Sequence, residues 1–407
     1  MGPLGDVTVL DLSRILAGPW AAQALADFGA TVIKIERPDT GDDTRAWGPP
    51  YLKDADGRDT GESAYFASTN RGKQSVAVDF SKPAGGDIVR RLARQADVLV
   101  ENFKVGGCAR FGLAYADLAP LNPRLIYCSI SAFGQTGPAA DAPGYDAMIQ
   151  GRGGLMSLTG LPDGEPGGGP QKTGIAVADL MAGMYALSAI LGALYERERS
   201  GAGQYIDLAL LDSQVAWLAN QGLNYLTTGL SPARHGNAHP NIVPYQSFVT
   251  ADGHLMLAVG NDRQFAKFCE AAGCAELARA TRFATNANRV AHRETLVPLL
   301  AAVVSKRTTR DWLESLEPLG IACGPINSLA QVFDDPQVKH RAMRIDLPHA
   351  RAGSAPGMRN PTLFSRSDLQ YRSAAPLLGE HTDSVLAARL GLDAVELDRL
   401  RRAGVIG

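Results

Sequence analysis

The first 140 residues alternate apolar, strand-like segments with helical ones, and this alternation constrains the fold more than any other feature. The predicted strands are short runs rich in branched apolar residues, at 7–12, 31–36, 75–80, 97–102 and 125–130. The predicted helices between them cover 19–30 and 85–96. Strands that alternate with helices indicate βαβ units and a mostly parallel sheet. The sequence therefore predicts an α/β fold.

The pattern changes near residue 225, which indicates a second, smaller domain of the α+β type. Residues 227–245 are rich in Gly, Pro, His and Asn, as is typical of a long loop, and a hairpin-like pair of strands follows at 247–260. A length of 407 residues agrees with two domains. We expect three segments, a large domain, a small domain and a C-terminal return to the large domain: 1–224, 225–330 and 331–407.

Composition excludes several classes of protein. The net charge is −2 and the apolar fraction is 45%, so no global field favours nucleic acid or an anionic membrane. The five cysteines are scattered and form no Cys-x-x-Cys pair, which favours a reducing cytoplasm and argues against a structural zinc site. The N-terminus begins directly with a strand-like segment, and no charge-free apolar run reaches the roughly 18 residues of a membrane span. We predict a cytoplasmic protein with no metal, nucleic-acid or membrane partner.

Polar residues follow the predicted parallel strands, at the edge of the sheet where ligands bind in α/β folds. They are Ser13-Arg14, Glu36-Arg37, Asn102-Phe103 and Ser131, and the cations Arg37, Lys73, Lys104 and Arg110 belong to the same rim. Each cation alone is compatible with a solvated surface role, but together they suit an anion with several phosphates. NAD fits poorly, because the first strand–helix loop lacks Gly-x-Gly-x-x-Gly.

Asp179 stands before the charge-free run Leu180 to Tyr195, within a predicted helix at 174–204 that Gly201 terminates. Its carboxylate has two readings. It can cap the first turn of the helix, or it can act as a nucleophile. Apolar and small neighbours would desolvate it and leave room for a substrate carbonyl, while the helix N-terminus would keep it ionised.

Long motifs spread over the chain resemble the class III CoA-transferases, the family of formyl-CoA transferase, carnitine CoA-transferase and 2-methylacyl-CoA racemase. They are "DLSRILAGPWAAQALADFGATVIKIERPDTGDDTR", "NRGKQSVAVD", "VENFKVGGCARFGL", "LNPRLIYCSISAFGQTGP", "IACGPINSL" and "APLLGEHTDSVL". The resemblance implies a larger Rossmann-like domain built from both chain ends. It also implies an interlocked homodimer in which each subunit threads a ring made by the other.

The resemblance also assigns residues. Asp179 takes the place of the aspartate that forms the acyl intermediate. Coenzyme A, which enters as an acyl-CoA substrate, is expected to contact Leu16, Ala17, Arg37, Gly72, Lys73, Gln74, Ser75, Asn102, Phe103, Lys104, Arg110 and Tyr145. No metal is implied.

Two departures from the family pattern concern the acceptor. Leu16 stands where formyl-CoA transferase has Gln, which argues against oxalate as acceptor. The glycine-rich active-site loop of that enzyme has no counterpart, and residues 234–245, "RHGNAHPNIVPY", stand instead. We expect His239 in this segment to contact substrate, and Arg14 to anchor a second carboxylate of the acid.

The racemase branch has His followed by Asp where this chain has Tyr145 and Asp146. Two-base proton exchange requires a group that titrates near neutrality, and Tyr is a poor substitute. We therefore predict a CoA transferase that moves CoA from an acyl-CoA donor, with succinyl-CoA as the candidate, to a free carboxylic acid through an aspartyl anhydride and thioester on Asp179. A 2-methylacyl-CoA racemase or epimerase and a non-catalytic CoA-binding protein are the alternatives.

Overall fold

The structure is a computed structural model that describes residues 2–407. Its strands, in chain order, are β1 Thr8–Asp11, β2 Thr31–Glu36, β3 Tyr51–Lys53, β4 Asp59–Ser63, β5 Lys73–Ala77, β6 Val98–Glu101, β7 Ile126–Ser131, β8 Tyr205–Ala209, β9 Tyr245–Val249, β10 His254–Ala258, β11 Ala322–Pro325, β12 Arg344–His349 and β13 Gly353–Met358.

The α-helices are α1 Ala17–Asp27, α2 Ala64–Thr69, α3 Pro83–Ala93, α4 Tyr115–Leu118, α5 Asp146–Arg152, α6 Leu155–Leu158, α7 Val177–Ser200, α8 Leu210–Ala216, α9 Ala219–Thr228, α10 Asp262–Ala271, α11 Ala275–Arg279, α12 Asn286–Ala291, α13 Arg293–Val304, α14 Thr309–Leu316, α15 Leu329–Asp334, α16 Pro336–His340, α17 Thr382–Leu390 and α18 Ala394–Arg402. Short 3₁₀ helices cover Asp43–Ala46, Cys108–Phe111, Thr281–Phe283 and Glu317–Leu319.

Six strands form a fully parallel sheet in the order β5-β2-β1-β6-β7-β8. This confirms the predicted α/β fold with a parallel sheet. The chain runs from β1 to one edge of the sheet, returns to β6 and then runs to the other edge. The carboxyl ends of β1 and β6 therefore flank a topological switch point, which is where open α/β sheets bind ligands.

Both faces of this sheet are covered, which explains why its central strands are apolar on both sides. All four residues of β6 and all six of β7 are buried. On one face, small residues of α1 and α7 such as Ala21 and Ala182 pack against Val9 and Val100. On the other face, α3, α17 and α18 cover the alternate side chains of the same strands.

Helix α7 ends as predicted, because Gly201 takes a left-handed conformation with φ of 74° and its N–H donates to the carbonyl oxygen of Arg197 at 2.8 Å. By length and composition, this helix could cross a membrane. Half of its most apolar window is buried inside the structure, and core helices share the same properties.

Contacts divide the chain into two compact units. The first contains the described residues up to 155 together with 173–227 and 337–407, and the second contains 156–172 and 228–336. The assignment of segment 156–172 to the second unit differs from the prediction, which placed this segment in the large domain. This segment belongs to the second unit because Gly236 N donates to the carbonyl oxygen of Gly160 at 3.0 Å and the Arg234 guanidinium donates to Leu161 O at 3.2 Å.

The second unit is built around an antiparallel sheet with strand order β11-β10-β9. The predicted hairpin at 247–260 is present as β9 and β10, whose register pairs Leu255 with Phe248. Leu255, Phe268 and Trp312 are fully buried in its core, which α10, α13 and α14 complete.

Candidate active site

Asp179 lines a cavity of about 200 Å³ at the topological switch point, which we call the aspartate cavity. The loop after β1 and the loop after β6 supply much of its wall. Its lining includes Arg14, Ile15, Leu16, Ala17, Asn102, Phe103, Lys104, Asp141, Tyr145 and Asp179. The structure thus brings together Asp179 and six of the twelve residues expected to contact CoA, which are Leu16, Ala17, Asn102, Phe103, Lys104 and Tyr145.

The position of Asp179 follows from the start of α7. The N-cap is Ala176, which offers no side-chain cap, and Asp179 is the third residue of the helix. Asp146 at the start of α5 supplies the missing acceptor, because its Oδ1 accepts from Ala178 N at 2.8 Å and from Asp179 N at 3.4 Å. Of the two roles considered for Asp179, the helix cap is not seen, because Asp146 rather than Asp179 accepts from the N–H groups of the first turn.

Asp146 is itself held by Gln150, one turn further along α5. Gln150 Nε2 donates to Asp146 Oδ2 at 2.7 Å, and its Oε1 accepts from Thr173 N at 2.9 Å. Gln150 is fully buried. These contacts connect α5 to the segment that leads into α7, and they fix where that helix begins.

The electrostatic environment of Asp179 differs from the expected one. Burial and, second, the charge of Asp146 raise the pKa of Asp179 to about 7. Within residues 2–407, no hydrogen-bond donor contacts the Asp179 carboxylate. The N–H groups of Ala178 and Asp179, which were expected to help keep Asp179 ionised, are instead directed to Asp146.

Tyr65 on α2 is a further polar group near this pair that sequence reasoning missed. Burial, followed by the charges of Asp179, Asp146 and Asp42, raises the pKa of Tyr65. Its phenol is a possible hydrogen-bond donor beside the two carboxyl groups. The indole of Trp47 packs edge-on against its ring at 5.0 Å.

A second cavity of about 290 Å³ shares Arg14 and Phe103 with the aspartate cavity and extends toward the end of β2. Arg37 lines it, as do Asp42 and Phe111. The Arg14 guanidinium donates to Asp43 Oδ2 at 2.9 Å, and the Arg37 guanidinium lies 3.6 Å from Asp43 Oδ1. Both arginines thus line the second cavity, and both contact the Asp43 carboxylate.

Two of the expected CoA contacts are buried in the protein core instead. The Lys73 ammonium is fully buried and donates to Asp11 Oδ2 at 2.9 Å, to Pro19 O and to Asn70 Oδ1. Ser75 is fully buried, and its hydroxyl donates to Glu36 Oε1 at 2.6 Å. The prediction for these two side chains is corrected, because a buried ammonium and a buried hydroxyl both require hydrogen-bond partners within the protein, and both have them.

The other predicted residues lie outside the lining of both cavities. Gly72 and Gln74 are half-buried at the start of β5, and Arg110 is exposed on the 3₁₀ helix after β6. His239 belongs to the second unit, where its ring stacks on Tyr245 at 5.1 Å. Within residues 2–407, His, Cys, Asp and Glu side chains form no group of three that could hold a metal.

Comparison with known proteins shows which family the chain belongs to. The sequence matches the family described as CoA-transferase family III over residues 4–382. A succinate–glutarate CoA-transferase of Agrobacterium fabrum is 51% identical, with 95% of each chain covered. A succinyl-CoA:glutarate CoA-transferase of Mus musculus is 43% identical, covering 100% of this chain and 91% of the mouse protein. An acetyl-CoA:oxalate CoA-transferase of Acetobacter aceti is 38% identical, covering 93% and 94%.

A solved structure shows the same fold. A CAIB/BAIF family protein from Brucella suis superposes with a TM-score of 0.83 at 49% identity, covering 95% of this chain and 99% of that one. The chain belongs to CoA-transferase family III. It is a CoA transferase that acts on CoA thioesters, which confirms the activity predicted from the sequence.

Proposed function

We propose that this enzyme transfers CoA from succinyl-CoA to a dicarboxylic acid, with Asp179 as the nucleophile. The observation that carries the proposal is the Asp179 carboxyl group in the wall of a cavity at the switch point of the sheet. Its pKa of about 7 supports the role, because a carboxylate that titrates near neutrality is more nucleophilic than an ordinary one and is still largely ionised at physiological pH.

The reaction divides into four acyl transfers. The Asp179 carboxylate attacks the donor thioester and forms a mixed anhydride, and CoA leaves as the thiolate. The thiolate attacks the Asp179 carbonyl, which forms an aspartyl–CoA thioester and releases the donor acid. The acceptor carboxylate then attacks this thioester to form a second anhydride, and the thiolate attacks the acceptor carbonyl. The products are the acceptor CoA thioester and the free Asp179 carboxylate.

CoA binding across both cavities fits the distribution of charge. We place the thioester beside Asp179 in the aspartate cavity and the phosphate-bearing part of CoA toward Arg37 in the second one. Phe103 and Arg14 line both cavities, so the ligand passes them. We still expect Arg110 and Gln74 to contact the nucleotide part of CoA. We expect Tyr145 to contact CoA near the thioester.

Similarity to relatives supports the choice of substrates. Proteins 51% and 43% identical to this chain carry the names succinate–glutarate and succinyl-CoA:glutarate CoA-transferase. Leu16 lines the aspartate cavity. Because formyl-CoA transferase has Gln at this position, Leu16 argues against oxalate as the acceptor. We assign Arg14 as the anchor for the second carboxylate because this residue lines the aspartate cavity. We retain His239 as a candidate contact to substrate.

We also propose that the enzyme is an interlocked homodimer located in the cytoplasm. Helix α9 has no buried residue, and it exposes Leu223 and Leu226, the latter with 78% of its surface accessible. Helix α7 exposes Met184 and Tyr195 in the same way. Apolar helix faces of this kind require cover, which a second copy of the chain supplies. The five free cysteines agree with a reducing compartment.

The test of the proposed nucleophile is chemical trapping. Protein mixed with succinyl-CoA and no acceptor should carry an activated acyl group on Asp179, and hydroxylamine should convert it to a hydroxamate found on the peptide that contains Asp179. Asp179→Ala should fold and bind CoA yet give neither adduct nor glutaryl-CoA. Retained turnover in a folded Asp179→Ala protein would exclude this mechanism.

A further inference from the structure

Ile15 has a backbone conformation that is unusual for its residue type. Its φ is 71°, in the left-handed region where a β-branched side chain is strained. Ile15 lies in the loop between β1 and α1 and lines the aspartate cavity beside Leu16 and Ala17. Such a conformation persists only where the surrounding structure imposes it. The contacts of this loop therefore determine the shape of the cavity wall.

A buried ion pair provides those contacts. The Ile15 N–H donates to both carboxylate oxygens of Asp42 at 3.2 Å. Asp42 pairs with the Lys34 ammonium at 2.9 Å, and both side chains are fully buried. Lys34 Nζ also donates to the carbonyl oxygen of Ser13 at 2.8 Å. One ion pair thus holds the main chain on both sides of Arg14.

The remaining polar groups of the loop are fixed in the same manner. Asn102 accepts from Arg14 N at 2.8 Å and donates to Arg14 O at 2.7 Å. Beyond Ile15, α1 begins, and within residues 2–407 no acceptor contacts the N–H groups of Leu16 and Ala17. Those two residues face the cavity that contains Asp179.

We propose that Asp42, charged and held by Lys34, is a positioning residue for CoA transfer. By keeping Ile15 left-handed it sets the first turn of α1 against Asp179, so that the N–H groups of Leu16 and Ala17 are in place when negative charge develops on a substrate carbonyl. Donors fixed before the reaction need no reorganisation during it. The inference rests on the proposed role of Asp179, and Asp42 acts on the cavity through the main chain of Ile15.

Rescue separates this role from a contribution to stability alone. Glycine adopts a φ near 71° without strain, so Ile15→Gly should let the loop keep its shape when Asp42 is absent. Asp97 provides a control, because its carboxylate also accepts a main-chain N–H, from Thr8 at 2.8 Å, and also forms an ion pair, with the Arg197 guanidinium at 2.9 Å. Asp97 stands at the start of β6, away from the carboxyl ends of the strands.

The experiment measures the rate at which succinyl-CoA produces a hydroxylamine-trapped adduct on Asp179. Asp42→Ala should slow this rate on the order of 10- to 100-fold, since small misplacements of a catalytic group have effects of that size. The double variant Asp42→Ala with Ile15→Gly should regain most of the rate. Asp97→Ala should lower the thermal stability and leave the rate near that of the wild type.

A wild-type rate in Asp42→Ala, or a double variant no faster than Asp42→Ala, overturns the inference while the adduct on wild-type Asp179 still upholds the proposed function. A wild type without an adduct removes both. Should Asp42→Ala fail to fold, Asp42→Asn keeps one acceptor oxygen for Ile15 and allows the same comparison. Asp42→Asn must then be slower than the wild type and be accelerated by Ile15→Gly.

Discussion

Asp42 and Asp179 are two aspartates withdrawn from water near the carboxyl end of the same sheet, yet their pKa values move in opposite directions. Burial by itself raises the pKa of both. At Asp42 the Lys34 charge and hydrogen bonds from Thr44 outweigh burial and lower the pKa to about 2. At Asp179 no cation opposes burial, Asp146 adds a second negative charge, and the pKa rises to about 7.

The comparison shows that the partner, rather than burial, decides what a buried carboxylate does. Asp42 stays charged at every physiological pH and holds the loop of Ile15. At Asp179 the nearby helix N–H groups donate to Asp146 instead, and the Asp179 carboxyl group is protonated or ionised depending on pH. Groups that titrate near the working pH are the ones suited to chemistry.

Asp179→Asn should have the largest effect, a loss of turnover of at least about 10³-fold, because no other group can form the anhydride.

The same substitution should increase the stability of the fold. The folded pKa is raised from 3.8 to about 7, so ionisation of Asp179 costs nothing below about pH 4, and its full cost is reached above about pH 7. Removing it should stabilise the protein at about pH 8 by up to about 4 kcal/mol, and by less at about pH 5. Urea unfolding at both pH values measures this, and a variant less stable at pH 8 would contradict it.

Asp146→Asn should shift the pH dependence of the reaction. In the wild type, kcat/KM should rise as pH increases through about 7, where Asp179 ionises. Without the charge of Asp146 the rise should move to lower pH, while the Asn oxygen still accepts from Ala178 N. Asp141→Asn is the control, because it removes one charge from the lining of the same cavity but Asp141 does not perturb Asp179. An equal shift in both variants would show that the pairing with Asp146 is not specific.

Asp42→Asn should destabilise the fold at neutral pH by at least about 2 kcal/mol, the worth of its pKa shift from 3.8 to about 2. This contribution is present above about pH 4 and is lost as pH falls toward 2. The difference between wild type and variant in unfolding free energy should therefore shrink on acidification. A difference that is constant from about pH 6 to 3 would mean that the Asp42 charge is not its source.

Arg14→Met should have the smallest effect. We expect KM for dicarboxylic acceptors to rise roughly 2- to 5-fold, a modest change since Asp43 already engages the half-exposed guanidinium. Monocarboxylic acceptors, which lack the second carboxylate, should show no change in KM. Steady-state assays with a matched pair of acids test this, and equal changes for both would remove Arg14 as the anchor.

The layered fold was predictable because it depends on local patterns. Apolar runs such as 97–102 and 125–130 lie within a few residues of β6 and β7, and Gly201 terminates α7 as expected. The residues after β1 and β6 meet in one cavity for the general reason that carboxyl ends of parallel strands share an edge.

What escaped prediction depends on contacts distant in sequence. Asp146 caps a helix that begins about 30 residues later, and its only local signal is an acidic residue in the first turn of α5. The burial of Lys73 follows from its partner Asp11, which is 62 residues away. The left-handed Ile15 has no sequence signal, because β-branched residues ordinarily avoid that conformation.

The most direct test of the account follows the adduct on Asp179 as a function of pH. Wild-type enzyme is mixed with succinyl-CoA without acceptor at about pH 5 and about pH 8, quenched in acid within one turnover, and digested for mass spectrometry. We predict CoA joined to the peptide that contains Asp179 with loss of water, formed faster at the higher pH because the carboxyl group has a pKa of about 7. An adduct on another residue, no adduct, or equal rates at the two pH values would contradict the claim that Asp179 is a nucleophile poised by burial and Asp146.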